Sequence, residues 1–145
     1  MTHKEIIQEV AGKALGVAPG LIRVRERLMG GMSNYTYIFE MKARKYTFRI
    51  PGKRADRFVD REVEQHNIKL VDDLHLNNKT LFLDVETGYK IAAYIEGQPL
   101  SELDPMDYLR DAAIVLQTIH ESGLKSDYDY NPLKRLMTYE EHTYE

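Results

Sequence analysis

Three strand-like runs, at residues 22–28, 35–41 and 46–50, stand only a few residues apart, and this spacing limits the fold more than any other feature. Links so short join antiparallel neighbours, because a parallel pair needs a crossover of a dozen residues or more. In the first run Ile22, Val24, Glu26 and Leu28 alternate with Arg23, Arg25 and Arg27, the period of a half-buried strand. The second, from Tyr35 to Met41, is rich in aromatic and β-branched residues, and the third is Tyr46-Thr47-Phe48-Arg49-Ile50, stopped by Pro51-Gly52. Residues 42–45 read as a polar turn.

Two further strands are expected at 80–85 and 89–95, joined by Glu86-Thr87-Gly88. Between the third and fourth strands, residues 57–74 place Val59, Val63, Leu70, Val71 and Leu74 on one stripe at helical spacing. Residues 4–15 carry Ile6, Ile7, Val10, Ala11, Ala14 and Leu15 in the same period, with Gly16 as a stop. A last helix starts at Asp104, an N-cap with Pro105 behind it, buries Leu109, Ala112, Ala113, Leu116, Ile119 and His120, and closes at Gly123. The fold class is therefore α+β: a five-stranded antiparallel sheet with one helix packed across it, an N-terminal helix, and a helix beyond the Gly97/Pro99 break. Two units are expected, residues 1–95 and residues 96–145.

Composition excludes several functions. At 145 residues, 43% hydrophobic and 30% charged, the chain can bury a core. Twenty basic against 23 acidic residues give a net charge of −3, which argues against general nucleic-acid binding. There is no cysteine, so disulfides and thiolate metal sites are ruled out, and five scattered histidines without an H-E-x-x-H pairing argue against zinc. No apolar run approaches the roughly 20 residues of a membrane span, and residues 1–20 lack a secretory apolar region, so a cytoplasmic location is expected. Lys42, Arg44, Lys45, Arg49, Lys53, Arg54 and Arg57 crowd one stretch against Asp56 alone. They read either as a solvated surface or as a local potential favouring an anionic ligand.

Three features bear on chemistry. Gly30-Gly31-Met32-Ser33-Asn34 lies between two strands, where paired glycines allow backbone N–H groups to nest a phosphate or simply make a hairpin turn. On the third strand Arg49 points opposite to Phe48, either snorkelling to water or offering a forked donor to phosphate oxygens. Glu64 sits on the rim of its helix's apolar stripe and needs a cation. Arg49 is the preferred partner and Arg61, three residues back, the rival.

Taken in order, these residues resemble the N-terminal lobe of the choline/ethanolamine kinase family, the bacterial choline kinase group in particular. That family is related to aminoglycoside phosphotransferases and distantly to protein kinases. The matching stretches are Gly30–Asn34, Tyr46–Gly52, Asp60-Arg61-Glu62-Val63-Glu64, Tyr94-Ile95-Glu96-Gly97 and Ile119-His120, which together cover about residues 22–123. The resemblance implies that Gly30, Gly31, Met32, Ser33 and Asn34 cover the phosphates. It implies that Arg49 replaces the strand lysine of protein kinases, with Glu64 as its helix partner. Ala93, Tyr94 and Ile95 would form the hinge that reads the adenine edge, although a plain inner strand fits the same residues.

The implied activity is transfer of the ATP γ-phosphate to the hydroxyl of a small amino alcohol, choline first, with ethanolamine, thiamine and aminoglycoside kinases as alternatives. ATP and Mg²⁺ are the implied cofactors. None of the five histidines begins an H-x-D-x-x-x-x-N loop, so no catalytic or metal-binding residue is expected in this chain. Those residues would belong to a C-terminal lobe, which also builds the substrate pocket, and the chain reads as a truncated kinase, inactive alone. The competing reading is a non-catalytic nucleotide-binding or interaction module on the same scaffold; an unrelated α+β domain is the third. Exposed Leu109, Ala113 and Leu116 would favour self-association.

Overall fold

The computed structural model describes residues 1–29, 33–53 and 55–143. Helix α1 (His3–Leu15) opens on a capping box, in which Thr2 and Glu5 satisfy each other's main-chain N–H groups, and ends at Gly16 in the left-handed region (φ 66°). Strands β1 (Arg23–Leu28), β2 (Asn34–Met41), β3 (Arg44–Pro51), β4 (Thr80–Leu83) and β5 (Lys90–Ala93) form one antiparallel sheet in the order β1-β2-β3-β5-β4. The β2–β3 turn is tighter than the expected four residues. Lys42 and Ala43 both take positive φ, as a two-residue hairpin turn requires, so Arg44 and Lys45 pair with Met41 and Glu40.

The fully buried core lies between α1 and one face of the sheet. Ile7 and Ala11 from the helix meet Phe39, Phe48, Ile50 and Ile91, with Ile22 at the entry to β1. Alternation puts Phe48 on that face and leaves Thr47 and Arg49 on the other, together with the buried Ile38 and Ala92.

Helix α2 (Arg61–Leu70) is shorter than the stripe at 57–74 suggests. The Asp60 carboxylate accepts from the N–H groups of Glu62 and Val63 and so fixes the start. Single 3₁₀ turns at Ala55–Arg57 and Asp72–Leu74 flank the helix. Beyond β5, α3 (Pro105–Glu121) begins at the Asp104 cap as expected. Its apolar stripe is not buried: Leu109 and Leu116 are more than half exposed, as the burial of one face alone would forbid. Nothing among the described residues covers it.

Helix α4 (Pro132–Thr143) was not anticipated, although Asn131 caps it and Pro132 stands at its first position. The segment leading into it contacts α2, and α4 itself contacts the stretch before α2. Ser126 donates to Asn67 (2.7 Å), Tyr128 packs edge-on against His66, and Arg135 donates to the Phe58 carbonyl (2.8 Å).

Candidate functional site

Strand pairing lines up three residues across the sheet. Thr36 on β2 and Lys90 on β5 lie directly opposite Arg49, so all three share the face turned away from α1. Glu64 reaches this row from α2. Both terminal nitrogens of Arg49 donate to its carboxylate, Nη1 to Oε1 and Nη2 to Oε2, and Nη2 also donates to the Gly88 carbonyl (3.2 Å). Arg61 Nη1 donates to the same Oε2 at 2.7 Å. Both partners proposed for Glu64 are therefore correct at once. The three side chains are 17%, 18% and 9% exposed for Arg49, Glu64 and Arg61, which makes this a shielded cluster rather than a surface pair.

Burial pushes the Glu64 carboxyl pKa up, but the hydrogen bonds and charges of Arg49 and Arg61 outweigh it and hold the group below its ordinary value. Lys90 moves the other way. Burial lowers its pKa, the facing Arg49 charge lowers it further, and Glu64 only partly opposes them.

Two glycines that read as simple turn residues shape the cluster. Gly52 donates its N–H to the Ser33 carbonyl (2.8 Å), and a Cβ on Gly52 would stand 2.7 Å from that oxygen. The root of the β1–β2 connection is thus pinned to the end of β3 by a contact that only glycine allows. Gly88 (φ 71°) is as tight, since a Cβ there would meet Pro51 and the Arg61 guanidinium within 3 Å. Asn34 starts β2 opposite Pro51 and Ser33 precedes it, so both sit at this end of the sheet. Gly30, Gly31 and Met32 lie outside the described residues.

At the other end of β5, the expected hinge residues are unequal. Ala93 donates its N–H to Lys79 and its carbonyl accepts from Asn78, while the Tyr94 N–H goes to the Lys45 carbonyl. Ile95 is 65% exposed, and its main-chain groups have no hydrogen-bond partner among the described residues. The structure thus brings Arg49 and Glu64 together and sets Ser33 and Asn34 near them, with Ala93–Ile95 at the opposite end of the same strand pair. Sequence reasoning passed over Lys90, Gly52 and Gly88 and gave Arg61 only a local role. The R-x-x-E spacing was the available signal for Arg61; Lys90 had none, because register between distant strands is not written locally.

Among the described residues no group of three or more His, Asp or Glu could hold a metal ion, and no helix is long and apolar enough to cross a membrane.

No protein-family model and no curated protein matches the chain. Solved structures do. The choline kinase LicA from Streptococcus pneumoniae is similar over 95% of this chain and 47% of its own, with 28% identity and a TM-score of 0.79. The complex of LicA with AMP matches 97% of this chain and 49% of that one, at 26% identity and a TM-score of 0.75. An ethanolamine kinase from Plasmodium vivax shares the fold at 19% identity and a TM-score of 0.64, over 89% of this chain and 33% of its own. The chain spans about half the length of the choline kinase it matches.

Proposed function

We propose that this chain, an N-terminal lobe of the choline/ethanolamine kinase family, is the nucleotide-binding half of an ATP-dependent phosphotransferase that acts on the hydroxyl of a small amino alcohol, choline first. The observation that carries this reading is the Arg49–Glu64 pair on the inner face of the sheet, below the root of the double-glycine connection. Arg49 offers a fork suited to phosphate oxygens, and Glu64 fixes its direction. Similarity to a choline kinase crystallised with AMP supports adenine nucleotide as the ligand.

On this reading Ile95, whose main-chain groups are unengaged, reads the adenine edge. Ala93 and Tyr94, already bonded to Lys79, Asn78 and Lys45, shape the wall around it. Gly30, Gly31, Met32, Ser33 and Asn34 cover the phosphates. Residues 1–95 form the nucleotide lobe, and residues 96–145 lead into a second lobe that supplies the Mg²⁺ ligands, the residue that orients the acceptor hydroxyl, and the amino-alcohol pocket. Mg²⁺ when bound would neutralise charge on the transferring phosphate. The chain works in the cytoplasm, and the exposed stripe of α3 meets a second copy of itself.

Calorimetric titration of Mg-ATP into the chain and into Arg49→Ala tests the assignment. Glu64 keeps Arg61 in that variant, so the fold should survive. ATP affinity should fall at least about tenfold, the scale of a lost charge-assisted contact. Equal binding by both proteins, or none by the unaltered chain, would refute it.

A further inference from the structure

The cluster around Glu64 holds more positive charge than the fold needs. Arg49 and Arg61 both bind one carboxylate, and Lys90 stands directly across the strand pair from Arg49. Of the other acids at the start of α2, Asp60 caps the helix and Glu62 lines the cleft beside Gly52, and neither pairs with Arg49, Arg61 or Lys90 among the described residues. Lys90 makes no ion pair or hydrogen bond through its side chain among the described residues, yet it is half-buried and directly opposite Arg49. Like charges facing each other across a strand pair destabilise it. Moreover, Arg49 Nε and Arg61 Nη2 are buried donors with no partner among the described residues. Unmade hydrogen bonds of this kind are costly, and an anion arriving beside Arg49 and Lys90 would offset the cost at Arg49 and the repulsion together.

A cleft of about 640 Å³ opens beyond Arg61, beside Gly52 and the Glu86–Gly88 turn, but Asp60, Glu62 and Glu86 line it. Their charge disfavours phosphate there. Among the described residues, the sheet face shared by Arg49 and Lys90 carries no such acid opposite them in the strand pairing.

We propose that Lys90 and Arg61 complete, with Arg49, a three-cation site for the polyphosphate of a nucleotide, Lys90 by contacting phosphate directly and Arg61 as a positioning residue. Arg61 keeps Glu64 paired while Arg49 turns part of its fork to the ligand, so Glu64 is never left as a lone buried charge. The proposal rests on the nucleotide-lobe reading, and one set of titrations separates the two.

Tripolyphosphate, ATP and adenosine are titrated into the unaltered chain, Lys90→Met and Arg61→Gln. Lys90→Met should bind tripolyphosphate and ATP at least about tenfold more weakly with adenosine unchanged. Its thermal midpoint without ligand should stay level or rise, because a repulsion is removed. A clear fall in that midpoint would mark Lys90 as structural and overturn its role. For Arg61→Gln, carboxyl NMR should show the Glu64 pKa rising when ATP is added, whereas in the unaltered chain it stays low; no rise would overturn the positioning role. If both variants bind tripolyphosphate as the unaltered chain does, or if the unaltered chain binds none, the site is refuted. Should the unaltered chain bind tripolyphosphate but neither ATP nor adenosine more tightly, and Lys90→Met lose it, the cation site stands and the nucleotide reading fails.

Discussion

Glu64 is held by two arginines, and this makes acid the condition that loosens the inner face. Its folded pKa lies below the unfolded value, so the pairing contributes its full stability above the unfolded carboxyl range and loses it as pH falls through the folded value. Glu64→Gln should therefore destabilise the chain at neutral pH by about 2 kcal/mol, below the roughly 3–5 kcal/mol of a fully buried pair. The gap to the unaltered chain should narrow as pH falls below the ordinary carboxyl range and through the lowered folded value. Urea melts from neutral pH into acid measure this, and a gap that stays constant or widens as pH falls would contradict it. Lys90 carries the opposite sign. Its folded pKa is lowered, so its charge opposes folding at neutral pH, and that opposition fades as pH rises through the folded value toward 10.5. One row of the sheet thus combines a stabilising pair with a destabilising cation, as the proposed phosphate site requires.

Among the elements, α1 and the strands hold the buried core, and α2 supplies Glu64 and Arg61. Ile7 is fully buried against Phe39, Phe48 and Ile91, whereas α2 has no fully buried residue. Ile7→Ala should cost about 2–5 kcal/mol in urea unfolding, the range for deleting a buried aliphatic side chain. A loss under 1 kcal/mol would place the core elsewhere. The strands and α1 were legible because their periods are clean and Gly16, Pro51-Gly52 and Gly88 punctuate them. Arg49 and Glu64 were legible too, since alternation and the helical stripe assign each a direction. The end of α2 was obscured because its apolar stripe runs on through 3₁₀ turns on either side. In α4 the tyrosines and acids hid Leu133, Leu136 and Met137, which follow helical spacing behind a clear cap. Lys90 became visible only once β3 and β5 were in register, because it lies more than forty residues from Arg49.

At the scale of the whole molecule, one face is closed and another is open. The side sealed by α1 excludes water, but Leu109, Leu116 and Ile119 on α3 and Leu133, Leu136 and Met137 on α4 are 43–67% exposed. Hydrophobic surface of that extent favours association in proportion to the area it can remove from water. The periodic placement of Leu109, Leu116 and Ile119 along α3 gives a seam that one helix of a second copy can cover. Sedimentation velocity over a hundredfold concentration range should therefore show the chain passing from monomer to dimer, and Leu109→Gln with Leu116→Gln should hold it monomeric. Because neither leucine touches the Glu64 cluster, ATP affinity should be the same in the double variant. A chain that stays monomeric throughout would mean that α3 closes on its own neighbours in solution, and a double variant that still dimerises would move the interface to α4.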